Sequence, residues 1–264
     1  MDIDNLRAIG RDLIREIPAA LQIPSRKEAI GTGAAGDKTL GFDMLAEEII
    51  LEGLRKLGEP LTFISEEIGV IELHGGGRKV LVDPVDGSKN ALAGLPFYCT
   101  SIAIADGEML DSVRLAYVVN LSNGDEFWAE KGSGGWLNGK QLRPQSDDVI
   151  RLVCYEAQVP GRDIPRIMPL LSKGAKTRCM GATALDLAYL GAGASSVFVT
   201  PSLSRSFDFA GGWLLIREAG GLITDISGKE IDDVRLDLKK SSSLLAAGNR
   251  KLHSMALKLL SKGE

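Results

Sequence analysis

One short segment constrains this chain more than any other. It reads Asp83-Pro84-Val85-Asp86-Gly87-Ser88-Lys89-Asn90 and directly follows Lys79-Val80-Leu81-Val82. A short apolar run bounded by turn residues predicts a buried strand. Two carboxylates, which are hard ligands for Mg²⁺, therefore lie at a strand end. The Gly-Ser turn leads into a short helical pattern, and backbone N–H groups at the start of a helix bind anions. The segment thus predicts a divalent metal ion beside a phosphate.

Length and composition predict a globular protein and exclude several classes of function. The 264 residues are 44 % hydrophobic and 25 % charged, and no apolar run approaches the length of a membrane span. The net charge of −4 comes without a basic run, which argues against nucleic acid as a ligand. Only two histidines are present, so a His-rich zinc site cannot be built.

The cysteines and the N-terminus predict a cytoplasmic protein. Cys99, Cys154 and Cys179 are far apart and odd in number, as is typical of reduced thiols rather than of a disulfide framework. The start of the chain, Met1-Asp2-Ile3-Asp4, is acidic and lacks the basic segment that begins a signal peptide.

A change of pattern near residue 140 predicts two halves. Residues 1–139 form an α+β metal-binding half, with a helix over 2–22, a Gly-rich loop over 24–41, a helix over 43–57, a Gly-rich turn over 69–78 and an antiparallel meander. Residues 140–264 alternate between strand and helix, which predicts an α/β half with helices covering a sheet and completing the active site. The expected fold class is α/β (α+β).

Five acidic residues lie at the ends of predicted elements: Asp43, Glu66, Asp83, Asp86 and Asp208. Such a set could hold two or three Mg²⁺ ions, and two ions about 3.5–4 Å apart can clamp both oxygens of an in-line displacement. Plainer interpretations exist, with Asp43 and Asp208 as helix caps and Glu66 as a solvated loop charge. Asp83 and Asp86 differ, because two carboxylates held together after a buried strand are costly without a cation.

Several motifs, in order, resemble those of the inositol monophosphatase superfamily, especially its archaeal members that also hydrolyse fructose 1,6-bisphosphate. The segment that begins at Asp83 resembles the DPxDGT-x-N signature. The other matching segments are Ser65-Glu66-Glu67 for G-E-E, Gly181-Ala182-Thr183-Ala184 for G-T-A-A, and Phe207-Asp208-Phe209-Ala210-Gly211-Gly212 with Arg217-Glu218-Ala219-Gly220-Gly221 for W-D-x-A-G…E-A-G-G. Asp37-Lys38-Thr39 followed by Asp43 is similar to the mobile metal loop of that family. The resemblance implies a layered αβαβα sandwich of the sugar-phosphatase type.

The resemblance also implies a set of metal ligands. Glu66 and Asp83, with the Val85 carbonyl and the Ser88 hydroxyl, would hold a first ion. Asp83, Asp86 and Asp208 would hold a second, and a weak third ion could use Glu66 and the loop of Asp37. Mg²⁺ is the expected ion, with Mn²⁺ as a substitute and Li⁺ as an inhibitor at the second site.

Catalytic and substrate-binding roles follow from the same resemblance. Ser88 paired with Asp43 would orient and deprotonate a water, with Glu66 as a further catalytic residue. The expected substrate-binding residues are Gly87, Ser88, Gly181, Ala182, Thr183 and Arg205. The implied activity is Mg²⁺-dependent hydrolysis of a small polyol or sugar phosphate by a metal-activated water, in a cytoplasmic homodimer. Arg205 would meet a second phosphate or a sugar oxygen, although a surface arginine without such a role is an equal alternative.

Three departures from the family pattern leave the substrate open. Ser88 stands where Thr is usual, Phe207 replaces Trp, and residues 200–206 lack the carboxylate of inositol-preferring members. Inositol 1-phosphate, fructose 1,6-bisphosphate and nucleotide or NADP-type phosphates all remain candidates.

Two other classes of protein are alternatives. A haloacid-dehalogenase-type phosphatase has a D-x-D-G-T motif, but two residues separate Asp83 from Asp86 here. A metal-binding regulatory protein with vestigial activity is the second. The glycines of Gly31-Thr32-Gly33-Ala34-Ala35-Gly36 fit a dinucleotide-binding pattern, but no strand is predicted before them. We interpret this segment as a flexible loop that delivers Asp37 and Asp43.

Overall fold

Seven α-helices and fifteen strands form the fold in residues 1–261, the part of the chain that the computed structural model describes. The first part contains α1 Ile3–Ala20, β1 Ala29–Thr32, β2 Lys38–Leu40, α2 Gly41–Lys56, β3 Leu61–Ser65, β4 Gly69–Leu73, β5 Arg78–Asp86, α3 Ser88–Ala93, β6 Cys99–Ala105, β7 Val113–Asn120, β8 Glu126–Glu130, β9 Gly134–Leu137 and β10 Lys140–Gln141. The second contains β11 Leu152–Tyr155, α4 Pro160–Leu171, β12 Lys176–Arg178, α5 Thr183–Gly191, β13 Val197–Arg205, α6 Ser206–Ala219, β14 Leu222–Thr224, β15 Lys240–Ala247 and α7 Arg250–Leu260.

The strands form two large sheets and one hairpin. The eight-stranded sheet has the order β10-β9-β8-β7-β6-β5-β3-β4, and the five-stranded sheet has the order β12-β11-β13-β15-β14. Neighbours in the first sheet are antiparallel except β3 and β5, which are parallel. In the second sheet β11 is parallel to β12 and β13, while β15 is antiparallel to β13 and β14. β1 and β2 pair only with each other.

Helices cover both sheets and fill the space between them. α1 and α2 pack on the outer face of the eight-stranded sheet, α5 and α6 lie between the sheets, and α4 and α7 cover the five-stranded sheet. α6 is accordingly buried on nearly every side, with Phe207, Phe209 and Trp213 in one core, as expected of a helix enclosed by other layers. The expected αβαβα sandwich is confirmed. No helix in residues 1–261 has the length and apolarity needed to cross a membrane.

The parallel pair β3 and β5 positions the acidic residues. Ser65 is in register with Val82, so Glu66, which follows β3, lies beside Asp83 of β5 at the same edge of the sheet. A bulge between Asp83 and Asp86 interrupts the pairing of β5 with β6. Pro84 lacks an N–H group and is tolerated at such a bulge. β5 therefore continues to Asp86 instead of ending at Val82 as predicted.

Two other segments differ from the sequence prediction. Residues 24–41 are not one loop, since a 3₁₀ helix over Pro24–Lys27 is followed by the β1–β2 hairpin. Residues 69–78 are not only a turn, because β4 pairs with β3 from Leu61 to Ser65. β4 is an edge strand with two exposed residues and flanking glycines, which weakens its local signal. The division into two halves at residue 140 remains a prediction. The last three residues of the second half, 262–264, lie outside the part of the chain that the structure describes.

Candidate functional site

A cavity of about 690 Å³ lies where the ends of β3 and β5 meet the first residues of α5 and α6. Most of the residues predicted for the site line it: Asp37, Asp43, Glu66, Asp83, Val85, Asp86, Gly87, Ser88, Gly181, Thr183 and Asp208. Ala182 is buried and lies outside this lining, as does Arg205, whose side chain points to the β1–β2 hairpin. The acidic residues that are dispersed in sequence thus come together at one place.

Asp83 and Asp86 differ in how the protein satisfies them. The side chain of Asp83 is 5 % exposed, and its Oδ1 has no hydrogen-bond partner among the described residues. Asp86 is partly exposed to the cavity, and its Oδ2 accepts the backbone N–H of Ala184 at 2.6 Å. Asp83 therefore keeps an oxygen free for a ligand, while Asp86 is fixed by the start of α5.

Asp43 and Asp208 occupy equivalent positions, each three residues after the N-cap of its helix. Asp43 Oδ2 accepts the N–H of Leu40 at 3.1 Å, and Asp208 Oδ2 accepts the N–H of Arg205 at 2.7 Å. This is the backward half of a capping box. The interpretation as helix caps is therefore correct for one oxygen of each residue, and it does not exclude a role in the cavity for the other.

Ser88 connects Asp43 to the strand that carries Asp83. Its Oγ lies 2.8 Å from Asp43 Oδ1 and 2.7 Å from the Val85 carbonyl oxygen. A hydroxyl has one proton and two acceptor lone pairs, so Ser88 donates to only one of these oxygens at a time. Donation to Asp43 leaves a lone pair of Ser88 to accept a proton from a water.

The turn after Asp86 requires glycine. Gly87 has φ of 88°, and a Cβ there would lie 2.9 Å from the Phe97 carbonyl oxygen. Asn90 holds the turn against the segment before α5, donating to the carbonyl oxygens of Phe97 at 2.8 Å and Met180 at 2.7 Å. The backbone of Gly87 and Ser88 therefore faces the cavity beside Gly181.

The carboxylates of the cavity hold protons more tightly than usual. Burial, reinforced by Asp208 and Glu67, raises the pKa of Glu66 to about 9. Burial also raises the pKa of Asp43 to about 7 and that of Asp208 to about 6. Burial and neighbouring carboxylates raise the pKa values of Asp83 and Asp86 well above their usual range. These side chains can all be ionised together only if positive charge enters the cavity.

The donor set fits a hard divalent cation. Carboxylate and carbonyl oxygens are the ligands that Mg²⁺ prefers, and Asp83 Oδ1 is a buried oxygen without a partner in the described chain. Within residues 1–261 no three acidic, His or Cys side chains are already arranged as a closed ligand set. Binding of an ion therefore requires small side-chain adjustments around the cavity.

Sequence reasoning missed part of the cavity wall. Lys89, Glu156, Gln158, Thr200 and Ser204 also line it. Glu156 directly follows β11, the same pattern of a carboxylate after a strand that identified Asp83, so that signal was present. The others carry no local signal, because their elements reach the cavity only through the sheet topology.

A buried carboxylate outside the metal set was also missed. Glu47 on α2 is fully buried, and its Oε1 accepts the N–H of Ile68 at 3.2 Å. Burial raises its pKa. Glu47 therefore fixes the backbone just after Glu66 from the helix that also carries Asp43.

The β1–β2 hairpin closes one side of the cavity. Asp37 lies on this hairpin, and its Oδ2 is 2.9 Å from Arg205 Nη1. Thr39 donates to Glu67. The expectation that this segment delivers Asp43 is wrong, because Asp43 belongs to α2 and is buried there.

A second groove, of about 490 Å³, runs between α1 and α2. Its charged side chains pair with one another, Arg15 with Asp12 and Lys56 with Glu52. It lacks the converging, unpartnered carboxylates of the first cavity.

Comparisons with known proteins confirm the resemblance. The model of the inositol monophosphatase family matches residues 3–264, and this family is in general metal-dependent. A fructose-1,6-bisphosphatase/inositol-1-monophosphatase of Methanothermobacter thermautotrophicus is 35 % identical over 244 residues, covering 88 % of this chain and 87 % of that protein. An inositol-1-monophosphatase of Mesorhizobium japonicum is 30 % identical, covering 86 % and 84 %.

The fold gives the same result. The crystal structure of the extragenic suppressor protein SuhB from Bartonella henselae aligns with a TM-score of 0.81 at 26 % identity, covering 98 % of this chain and 99 % of that one. Sequence and structure agree over nearly the whole length, and the chain belongs to the inositol monophosphatase family and thereby to the phosphoric monoester hydrolases.

Proposed function

We propose that this chain is a Mg²⁺-dependent phosphomonoesterase that hydrolyses a small polyol or sugar phosphate by direct attack of water. One observation carries the proposal. Four carboxylates with raised pKa values, Glu66, Asp83, Asp86 and Asp208, line one cavity beside the hydrogen-bonded pair of Ser88 and Asp43. Such an arrangement combines a site for cations with groups that can orient a water and accept its proton.

The metal ligands proposed are Glu66, Asp83 and the Val85 carbonyl for one ion, with Ser88 close by, and Asp83, Asp86 and Asp208 for the other. Bound Mg²⁺ supplies charge neutralisation at the phosphate and lowers the pKa of a bound water. The fit rests on the oxygen-rich lining and on the unpartnered Asp83 Oδ1.

Ser88 and Asp43 accept the proton of the attacking water. Asp43 is held in place by the Leu40 N–H on one oxygen and receives the Ser88 hydroxyl on the other. Ser88 then accepts a hydrogen bond from the attacking water, and the proton moves toward Asp43. A raised pKa, about 7 for Asp43, suits a group that accepts a proton near neutral pH. Glu66 shares the cavity and is the further catalytic residue proposed.

The substrate lies between the Gly87–Ser88 turn and the start of α5. The N–H groups of Gly87 and Ser88 bind the phosphate. Gly181 and Thr183 form the opposite wall, with Ala182 buried between them in the chain. The polar side chains of Glu156, Gln158, Thr200 and Ser204 face the same space and suit the hydroxyl groups of a polyol. With the names of the relatives, this supports inositol 1-phosphate, fructose 1,6-bisphosphate or both as substrates.

The alternatives are less well supported. A haloacid-dehalogenase-type enzyme uses an aspartate as nucleophile, whereas the comparisons assign the chain to another family. A regulatory protein with vestigial activity has no need of the intact Ser88–Asp43 pair. A labelled phosphoenzyme trapped by acid quenching would favour the first alternative, and its absence during turnover is the result expected here.

The test of this proposal is phosphate release from three substrates. The purified protein is given inositol 1-phosphate, fructose 1,6-bisphosphate or NADP, with Mg²⁺ and with EDTA, and kcat/KM is compared. We expect Mg²⁺-dependent turnover of at least one polyol or sugar phosphate. Asp233→Asn, at an exposed carboxylate that pairs with Lys229, is the control with unchanged activity. Absence of Mg²⁺-dependent turnover of all three would contradict the proposal.

Cytoplasmic location and a homodimer belong to the same proposal. Cys99, Cys154 and Cys179 are free thiols, which suits a reducing compartment. Sedimentation equilibrium tests the dimer, for which the expected mass is twice the 28.2 kDa of the chain. A mass of one chain at micromolar concentration would contradict it.

A further inference from the structure

Arg205 joins the second half of the chain to the β1–β2 hairpin. Its Nη1 lies 2.9 Å from Asp37 Oδ2, and its Nη2 donates to the Ala35 carbonyl oxygen at 2.7 Å. The side chain is 12 % exposed, and its guanidinium carbon lies 5.9 Å from the ring centre of Phe207. The guanidinium is thus held from several directions beside the cavity.

The other attachments of the hairpin are at its turn and at β2. All four residues of β1 are exposed, so this strand contributes nothing to a hydrophobic core. The N–H groups of Ala34 and Ala35 donate to the carbonyl oxygens of Glu67 and Glu66 at 2.8 and 3.0 Å. Ala35 also packs against the core between the sheets, and the Gly33 N–H donates to the Asp37 carbonyl oxygen at 2.9 Å. Thr39 contacts Glu67, and the Arg205 guanidinium bonds the side chain of Asp37 itself.

The charge of Arg205 also acts on the carboxylates of the proposed metal site. Its positive charge lowers the pKa values of Glu66 and Asp208, against the stronger effect of burial. Its own backbone N–H donates to Asp208. Arg205 is thus bonded to Asp37 and Asp208, while its effect on Glu66 is electrostatic. Asp37 and Glu66 are the side chains that a third ion would use.

We propose that Arg205 takes the place of a third divalent cation, so that this chain closes its hairpin over a two-ion centre without one. A guanidinium bonded to Asp37 opposes the binding of a divalent ion at the same carboxylate, because like charges a few ångström apart repel each other. The fixed arginine keeps the hairpin closed whatever the metal concentration. This inference depends on the proposed metal-dependent function.

The first test is the number of ions bound. Mn²⁺ is titrated into the protein in the presence of saturating inorganic phosphate, and free Mn²⁺ is measured by electron paramagnetic resonance. We expect two ions per chain in the wild type and in Arg205→Lys, which keeps the charge. We expect three in Arg205→Met, where Asp37 and Glu66 become available. Arg235→Met, at an exposed arginine that pairs with Glu108, is the matched control and retains two.

The first part of the second test uses only the wild-type protein. Amide hydrogen exchange of residues 29–40 is measured in the wild type with EDTA and with saturating Mn²⁺. The proposal predicts the same exchange rates within a factor of about two, since Arg205 and not an ion holds the hairpin. In Arg205→Met the exchange with EDTA should be at least tenfold faster, and Mn²⁺ should reverse it.

Other results overturn the inference in distinguishable ways. Three ions in the wild type, two in Arg205→Met, or tenfold protection of the wild-type hairpin by Mn²⁺ would each show that Arg205 does not replace an ion, and would leave the phosphatase proposal intact. No bound ion in the wild type would contradict the proposed function and the inference together.

Discussion

Asp83 is the residue at which stability and function oppose each other most directly. Its side chain is buried, and Oδ1 has no hydrogen-bond partner within residues 1–261. An unpaired carboxylate in such a position is costly, and the group takes up a proton or a cation instead. The direction of its pKa, well above the usual range through burial and neighbouring carboxylates, agrees with this. The carboxylate cavity is therefore a source of instability until a proton or a cation enters it.

Replacing Asp83 by Asn should raise stability and remove activity. In EDTA at pH 8 we expect the free energy of unfolding to rise by about 1–3 kcal/mol, because the carboxyl of residue 83 no longer has to take up a proton or be buried as a charge on folding. With Mg²⁺ we expect no measurable turnover, since a ligand shared by both ions is missing. Urea unfolding and steady-state assays measure the two effects. An unchanged kcat together with lower stability in EDTA would contradict the metal assignment.

Ser88 should act on the attacking water more than on the substrate. Ser88→Ala removes the hydroxyl that connects Asp43 to the cavity, and we expect kcat to fall by about 10²–10⁴-fold, the usual contribution of a general acid or base. KM should change little. Ser88→Thr keeps the hydroxyl and serves as the control that retains most activity. Wild-type kcat in Ser88→Ala would rule out this role.

Sequence predicts the site residues to the extent that their signals are local. Asp83 and Asp86 directly follow the apolar run that predicts a strand, and Asp43 and Asp208 stand near predicted helix starts. Their spacing alone therefore identifies them as candidates. The pairing of Arg205 with Asp37 joins residues far apart in the chain. No periodicity encodes such a contact, so the sequence alone does not predict that the Arg205 guanidinium is bonded to the β1–β2 hairpin.

At the scale of elements, helices were predictable and the β1–β2 hairpin was not. α1 has a strong period of buried residues, among them Leu6, Ile9 and Leu13. β1 is exposed throughout and shows no alternation, and its turn is fixed by hydrogen bonds to Glu66 and Glu67. Its conformation therefore depends on a distant strand end, and the glycines alone indicated only a loop.

α6 must pack closely because it carries Asp208 between two sheets. A Cβ at Gly212 would lie 2.6 Å from Leu187 Cβ on α5, too close for both backbones to stay in place. We expect Gly212→Ala to destabilise the protein by about 1–3 kcal/mol through overpacking and to lower kcat by displacing Asp208. Thermal unfolding and activity measure these effects.

Gly161 on α4 provides the control for that experiment. A Cβ there meets nothing within 4 Å, so Gly161→Ala should be neutral or stabilising by up to about 1 kcal/mol through helix propensity. Equal stability of the two variants would show that the contact of α5 with α6 is not tight.

For the whole molecule, the alternation of strands and helices predicts the layers but not the order of strands. The apolar faces of the predicted helices require sheets to cover them, which gives the sandwich. The alternation does not predict that β3 lies beside β5 and parallel to it. This neighbour relation is what brings Glu66 next to Asp83.

The carboxylate cavity should give the metal-free protein an unusual dependence of stability on pH. In the folded state the pKa values are about 9 for Glu66, about 7 for Asp43 and about 6 for Asp208. In the unfolded chain carboxyl groups titrate near about 4. The folded state therefore binds more protons between pH 5 and 9, and the free energy of unfolding falls as pH rises. Each pKa unit corresponds to about 1.4 kcal/mol.

Saturating Mg²⁺ should remove this dependence. The ion needs ionised ligands, so its binding releases protons and strengthens as pH rises. Urea unfolding at pH 5, 7 and 9 with EDTA and with Mg²⁺ measures both curves. Greater stability at pH 9 than at pH 5 in EDTA would contradict the assignment of raised pKa values to the cavity.

The most direct measurement for the account as a whole is a crystal structure with Mn²⁺ and inorganic phosphate, with the ions located by anomalous scattering. We predict two anomalous peaks per chain between Glu66, Asp83, Asp86 and Asp208, with phosphate beside Gly87 and Ser88 and Arg205 still on Asp37. A map without peaks in this cavity, with the four carboxylates apart from one another, would contradict the account.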